Sequence, residues 1–379
     1  MKLYIIAGEN SGDFIGGKLI RSLRNVFAGD KPEIKGIGGA AMQAEGLTSL
    51  FAISQINLMG FFEVLPHIFR INKLINKTVE DILAQDPDVL ITIDSPGFTY
   101  RVAAKVRALA PHIKLVHMVA PSVWAYKPSR AQKYAKLYDH LFVLLPFEPQ
   151  YFTVHGLPTT YIGHPVLEQE FYQDSKELRS KLGIKENIKA IAVTPGSRAG
   201  EIARHMPIIR KILDELSSTR DIKAIFIQPD EKHIQNILKY LSGARFDFSF
   251  STKRLEAFAA SDCALAKSGT NTLEIAASGT PMVIGYKLNP LTFFFLKMML
   301  KVKYACLINI IADREVIPEY IQSDFSSENI TTALSDLINS GKKSSSQVAQ
   351  AKRVLSTMGL GTSQQPSEVA ARKIIEIAR

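Results

Sequence analysis

Cysteine is scarce in this chain: its 379 residues include two, Cys263 and Cys306. Two cysteines build no disulfide framework, which fits a reducing compartment. Long apolar runs are lacking as well. No stretch approaches the roughly 18 uncharged apolar residues that a membrane-spanning helix requires. Met1-Lys2 passes directly into Leu3-Tyr4-Ile5-Ile6 and a glycine-rich turn, so no signal peptide is expected. Acidic residues are in deficit: 36 Asp and Glu against 46 Lys and Arg leave a formal net charge of +10. That excess favours phosphate-rich partners, whether nucleic acid, anionic lipid or nucleotide substrates. Apolar residues, by contrast, make up 46% of the chain, which excludes disorder over most of it. At about 150 residues per domain the length allows two or three domains.

Short runs rich in Ile and Val alternate with segments of helical period. The runs include Leu3–Ala7, Val89–Ile93, Leu115–Val119, Leu141–Leu145, Ile191–Thr194, Ala224–Ile227, Cys263–Ala266 and Met282–Gly285. They are continuous rather than alternating, as strands buried on both faces should be. After Gly200, the residues Ile202, Met206, Ile209, Leu213 and Leu216 recur at helical spacing. Repeated strand–helix alternation predicts parallel α/β layers, with function at the carboxyl ends of the strands. The alternation weakens around Glu168–Asn187 and restarts at Ile188. We therefore expect one domain over 1–170, a second over 188–325, and helices over 326–379 that pack back on the domains. Gly341–Ser346 and Gly359–Pro366 read as loops between those helices.

Three turns carry the chemistry. Gly8-Glu9-Asn10-Ser11-Gly12-Asp13 follows the first strand and opens a helix, so its backbone can approach a ligand closely. An ordinary strand-to-helix turn fits it equally well, and it is no G-x-G-x-x-G fingerprint. Thr194-Pro195-Gly196-Ser197-Arg198 offers N–H groups and a guanidinium fork to phosphate oxygens; alternatively Ser197 is a cap and Arg198 a surface charge. Lys267-Ser268-Gly269-Thr270 repeats the device, and Glu274 could take ribose hydroxyls. Asn271-x-x-Glu274 also reads as a capping box. Asp94 ends the run Val89–Ile93, where a partly desolvated carboxylate suits a general base; a helix cap is the competing reading. Asp86-Pro87-Asp88 precedes a strand and is structural. No metal-binding His spacing, nucleophile elbow or Walker loop is present, which disfavours a metal enzyme, a hydrolase or a P-loop ATPase.

Taken together the motifs resemble those of the lipid-A-disaccharide synthase family, inverting glycosyltransferases of the two-domain GT-B fold. The resemblance runs from Ala7–Asp13 through Met59-Gly60-Phe61-Phe62-Glu63-Val64, Ile93-Asp94-Ser95-Pro96, Ala120-Pro121-Ser122-Val123-Trp124-Ala125-Tyr126, Pro146-Phe147-Glu148 and Gly163-His164-Pro165. It continues with Pro195–Arg198, Ser268-Gly269-Thr270 with Glu274, and Pro281–Tyr286. It implies two Rossmann-like parallel-sheet domains, acceptor-side then UDP-sugar-binding, with a helical C-terminal segment. The implied reaction joins UDP-2,3-diacylglucosamine to 2,3-diacylglucosamine 1-phosphate (lipid X), giving a β-1,6 disaccharide and UDP. It belongs to lipid A synthesis at the inner face of a Gram-negative cytoplasmic membrane. By the same resemblance Asp94 is the base and Arg198 the phosphate-side arginine. Ser11, Gly12, Gly196, Ser197, Ser268, Gly269, Thr270, Glu274 and Asn309 bind substrate, and neither cofactor nor metal is implied. Where family members usually have a second Asp, three residues after Asp94, this chain has Gly97. Thr194 replaces the usual Leu, and Asn309 lacks the usual preceding Pro.

Asn289–Tyr304 suggests a membrane contact. Asn289-Pro290 should start a helix with one stripe of Leu291, Phe295, Met298 and Val302 and a second of Phe293, Leu296 and Leu300, bordered by Lys297 and Lys301. A second apolar stripe flanked by lysines suits an interfacial helix, and burial between domains or subunits is the alternative. A homo-oligomer is left open. The rival functions are another GT-B enzyme on UDP-GlcNAc, such as the peptidoglycan glycosyltransferase or the 2-epimerase, and an RNA-binding protein. No RRM, KH or Arg-rich segment supports the last, so no nucleic-acid partner is expected.

Overall fold

A computed structural model describes residues 1–27, 31–56, 68–172, 175–228, 230–290, 293–294 and 302–379. The chain forms two units, residues 1–168 with 361–379 and residues 169–360. In the first, β1 (Lys2–Ala7), β2 (Glu33–Ile37), β3 (Val89–Ile93), β4 (Lys114–Met118), β5 (His140–Val143) and β6 (Thr159–Tyr161) pair in the order β2-β1-β3-β4-β5-β6. In the second, β7 (Lys189–Thr194), β8 (Ile222–Ile227), β9 (Asp247–Ser251), β10 (Cys263–Ala266), β11 (Met282–Tyr286) and β12 (Glu319–Ile321) pair as β12-β11-β10-β7-β8-β9. Every pairing is parallel.

Side chains of a strand alternate between its two faces, and here both faces are covered. Tyr4 and Ile6 of β1 pack with Ile75, Val79, Val102 and Val106 on one side of the first sheet. Leu3, Ile5 and Ala7 pack with Leu19, Leu23 and Ile374 on the other. That double burial is why β1 reads as an unbroken apolar run. In the second unit the helix Ala199–Ser217 buries Ile202, Met206, Ile209, Leu213 and Leu216, the stripe expected from the sequence, against β7 and β8.

Each sheet reverses its winding once. From β1 the chain moves outward to β2, then returns to the other side of β1 as β3. From β7 it moves outward through β8 to β9, then returns to the other side of β7 as β10. At such a reversal the connections from two neighbouring strands run to opposite faces of the sheet, and α/β proteins bind ligands at the carboxyl ends there. The first reversal point lies between β1 and β3, the second between β7 and β10.

The end of the chain divides between the units. The helices Ser327–Asn339 and Gly341–Ser356 belong to the second, and the helix Pro366–Ile377 to the first. Gly341–Ser346, expected as a loop, is the start of a helix. The Ser340 side chain accepts the Lys343 N–H at 3.2 Å and so caps it. Buried Gln347, Ala351, Val354 and Leu355 then anchor the helix against the weak propensity of its Gly-Lys-Lys-Ser-Ser-Ser start.

Candidate active site

At the first reversal point, Asp94 sits one residue beyond β3 and takes a left-handed backbone conformation, φ 53°, as does Ser95 at 47°. The next strand end repeats this, with Val119 at φ 73°. A β-branched residue there is strained, and strain at a strand's carboxyl edge is a mark of functional sites. The Asp94 carboxylate accepts the Ser95 N–H at 2.7 Å through Oδ1. It caps no helix, because the helix Thr99–Leu109 begins after Phe98 without a side-chain cap. Burial raises the Asp94 carboxyl above its ordinary value, partly offset by the Ser95 N–H.

The turn after β1 presses against this group. A Cβ on Gly8 would lie 2.3 Å from that of Ser95, so only glycine lets the two turns approach. Ser11 is exposed on the first turn of the helix Asn10–Val26, whereas Gly12 is buried beside the Ile93 carbonyl. Asp13 is structural, since its carboxylate accepts N–H groups of Gly39, Ala41 and Met42 at 2.7–3.1 Å. After β4 the tryptophan run is held from below. Buried Glu148 accepts the Trp124 indole N–H at 3.2 Å and the Leu144 and Leu145 N–H groups at 3.1 and 2.9 Å. Phe147 meets the indole edge-on, with ring centroids 5.3 Å apart.

At the second reversal point, Gly196 has φ 130° and Ser197 and Arg198 are exposed. Neither Ser197 nor Arg198 caps the helix Ala199–Ser217 with its side chain. The Ser197 N–H donates instead to Glu201 Oε2 at 3.1 Å. Lys267 reaches the same carboxylate from the neighbouring turn at 3.0 and 3.2 Å, and the Tyr286 hydroxyl at 3.3 Å. Burial alone would raise the Glu201 carboxyl, but Lys267, the Ser197 N–H and Arg198 bring it below its ordinary value. One helical turn on, His205 Nδ1 lies 2.7 Å from the Pro195 carbonyl and Nε2 lies 3.1 Å from the Lys287 N–H. Burial lowers its pKa, so the neutral ring donates through Nδ1 and accepts through Nε2.

Glu274 forms no capping box. Its Oε1 accepts Arg254 Nε at 2.9 Å and Gln169 Nε2 at 3.0 Å, and Oε2 takes no hydrogen bond among the described residues. Asn271 turns away to donate to Thr194 Oγ1 at 2.9 Å, which also accepts the Lys267 N–H. Gly269 and Thr270 are exposed, while the Ser268 hydroxyl donates to the Ala305 carbonyl at 2.8 Å. Asn309 is fully buried with its amide saturated. Nδ2 donates to Ile317 O and Glu319 Oε1, both at 2.7 Å, and Oδ1 accepts Val316 and Ile317 N–H at 2.8 and 2.9 Å. The Glu201–Lys267 pair and the nearby His205 escaped the sequence reading. Their signal was a Glu and a His four residues apart beside an apolar helical stripe, Ile202 and Met206.

Of the membrane-contact residues, Leu296, Lys297, Leu300 and Lys301 lie outside the described residues, as does Met59–Val64. Phe293 is described. It is helical and half-buried, its N–H donates to the Asn289 carbonyl at 2.9 Å, and Phe294 beside it is exposed.

Two parallel sheets, each with polar loops at its own reversal point, define a protein of the GT-B fold, shared by glycosyltransferases and their epimerase kin. A UDP-GlcNAc 2-epimerase of Neisseria meningitidis bound to UDP-GlcNAc has that fold, with TM-score 0.67, 13% identity, and coverage of 99% of this chain and 100% of that one. The family described as lipid-A-disaccharide synthetase matches residues 3–374. Lipid-A-disaccharide synthases of Rickettsia bellii (strain OSU 85-389) and Rickettsia prowazekii (strain Madrid E) are 53% and 50% identical, each over 98% of both chains. The chain belongs to the lipid-A-disaccharide synthase family, and it is a glycosyltransferase.

Proposed function

We propose that the chain joins two acylated glucosamines into the lipid A disaccharide, with UDP-2,3-diacylglucosamine as donor and lipid X as acceptor. Family membership across residues 3–374 carries this reading. In the mechanism we assign, Asp94 takes the proton from the acceptor 6-hydroxyl as that oxygen attacks the donor's anomeric carbon. The bond from that carbon to the UDP oxygen breaks, and the anomeric configuration inverts. Negative charge growing on UDP falls to Arg198 and to the turns Gly196–Ser197 and Ser268–Thr270. In the same reading Glu274 Oε2 takes ribose hydroxyls, and Ser11 and Gly12 serve the acceptor side. Asn309 has a positioning role, because its amide is already engaged.

The same reading puts the chain at the inner face of the cytoplasmic membrane. Its net charge of +10 suits anionic lipid, and no helix among the described residues is long and apolar enough to cross a membrane. The decisive experiment incubates the purified chain with both acylated substrates. Disaccharide 1-phosphate and UDP in equal amounts are expected. Epimerised UDP-GlcNAc, or no product from the acylated pair, would refute the reading.

A further inference from the structure

The second reversal point holds a carboxylate where a nucleotide enzyme would be expected to leave donors open. Glu201 is 3% exposed and takes the Ser197 N–H and the Lys267 ammonium, two donors suited to a phosphate. They come from both sides of the reversal point: Ser197 follows β7, and Lys267 is the first residue after β10. Lys267 is the only cation that approaches Glu201 within ion-pair distance among the described residues, and it also lies over the Tyr286 ring at 5.6 Å. Gly196 leaves the carboxylate room, since a Cβ there would come within 2.9 Å of Glu201 Oε2.

We propose that Lys267 is a ligand of the nucleotide's diphosphate and that Glu201 is its displaceable internal counter-anion. The proposal rests on the reading that this unit binds UDP. In the absence of nucleotide the carboxylate neutralises a partly buried ammonium that would otherwise be costly to hold there. When a diphosphate arrives, its oxygens exchange with a carboxylate rather than with water alone, and Lys267 turns to them. Glu201 is not orphaned by the exchange, because the Tyr286 hydroxyl still donates to Oε1 at 3.3 Å. The arrangement moderates affinity. UDP has to compete with a resident anion, which favours release of a product whose charge would otherwise hold it in a basic site.

A merely structural ion pair and a counter-anion predict opposite signs. If Glu201 only braces the turn, Glu201→Gln loosens the site and weakens UDP binding. If it competes with phosphate, the same change leaves Lys267 unneutralised and tightens UDP binding, by about fivefold for a charge at partly buried range. Lys267→Gln should weaken UDP binding about tenfold, and the double variant should stay weak while folding normally, because both charges leave together.

The experiment is isothermal calorimetry of UDP with the full chain and these three variants, beside melting curves. Tighter binding by Glu201→Gln with weaker binding by Lys267→Gln supports the proposal. Equal or weaker binding by a folded Glu201→Gln overturns it. If Glu201→Gln does not fold, Lys267→Gln and the double variant decide, and parental affinity in either overturns it. Absence of UDP binding by the parent chain is a different failure, that of the reading beneath the proposal.

Discussion

The Ser95 hydroxyl donates to the Glu9 carboxylate at 3.2 Å, which ties the turn after β1 to the turn after β3. With Gly8 pressed against Ser95, the two turns make one surface, and Asp94 is fixed in it by its neighbour rather than by a helix. Held by backbone in this way, the base we propose is oriented before substrate arrives.

Asp94→Asn should fold normally and lose turnover by about 10²–10⁴-fold, the usual range for a removed general base. Burial raises the Asp94 carboxyl, and the base works only when ionised. Activity should therefore be present above that raised value and fall as pH drops through it, at a higher pH than an exposed Asp would give. A pH profile of kcat/KM checks both points. Near-parental turnover by the Asn variant would remove Asp94 from the chemistry.

At Gly97 the structure allows a test of the missing second carboxylate. A Cβ there would meet no atom within 4 Å. Gly97→Asp should change stability by no more than about 0.5 kcal/mol. Its charge near Asp94 should move the acidic limb of the profile further up in pH, since like charges disfavour double ionisation. A limb that stays in place would mean the two carboxylates do not sense each other.

Arg198→Ala should bind UDP less tightly and turn over more slowly, because a guanidinium on phosphate acts in both ground and transition states. Calorimetry and steady-state rates on the same preparation separate the two effects. Parental UDP affinity with a native melting curve would count against the assignment.

Asn309→Ala should cost about 1–3 kcal/mol, since it strands the Val316 and Ile317 N–H groups in a buried place. Asn309→Asp should do no better, because it would set a carboxylate against the Glu319 carboxylate and the Ile317 carbonyl. Urea unfolding measures this. Parental midpoints for both variants would contradict a positioning role.

For the membrane, the double variant Leu296→Glu with Leu300→Glu should sediment less with anionic liposomes while keeping a parental melting curve. Parental vesicle binding, or outright unfolding, would point to buried packing of that stripe.

The sequence made the interior strands legible and left the rims unread. The eight runs picked out by continuous apolar character are β1, β3, β4, β5, β7, β8, β10 and β11, which all have neighbours on both sides. The remaining strands, β2, β6, β9 and β12, are the sheet edges. Thr159–Tyr161 and Glu319–Ile321 are only half-buried along their length, so nothing forces them to be apolar. The same limit governs the site. Asp94 was visible because it ends an interior strand. Glu201 was not, because its role depends on Lys267, sixty-six residues away in sequence, arriving beside it. Of the two readings of Asn271-x-x-Glu274, the capping box does not form, for a related reason: Arg254 and Thr194 offered better partners through tertiary structure.

The return of Pro366–Ile377 to the first unit has a consequence for biosynthesis. Ala370, Ala371 and Ile374 complete a core whose other members, among them Leu3, Leu19 and Leu23, leave the ribosome first. The Ser367 N–H and hydroxyl then bond Glu168 at 2.6 and 2.8 Å. Until residues 361–379 are made, the nascent first unit keeps an apolar face of the helix Asn10–Val26 exposed while the whole second unit is translated. Such a chain cannot finish its domains in order of synthesis, and its early half is a natural client for chaperones during translation.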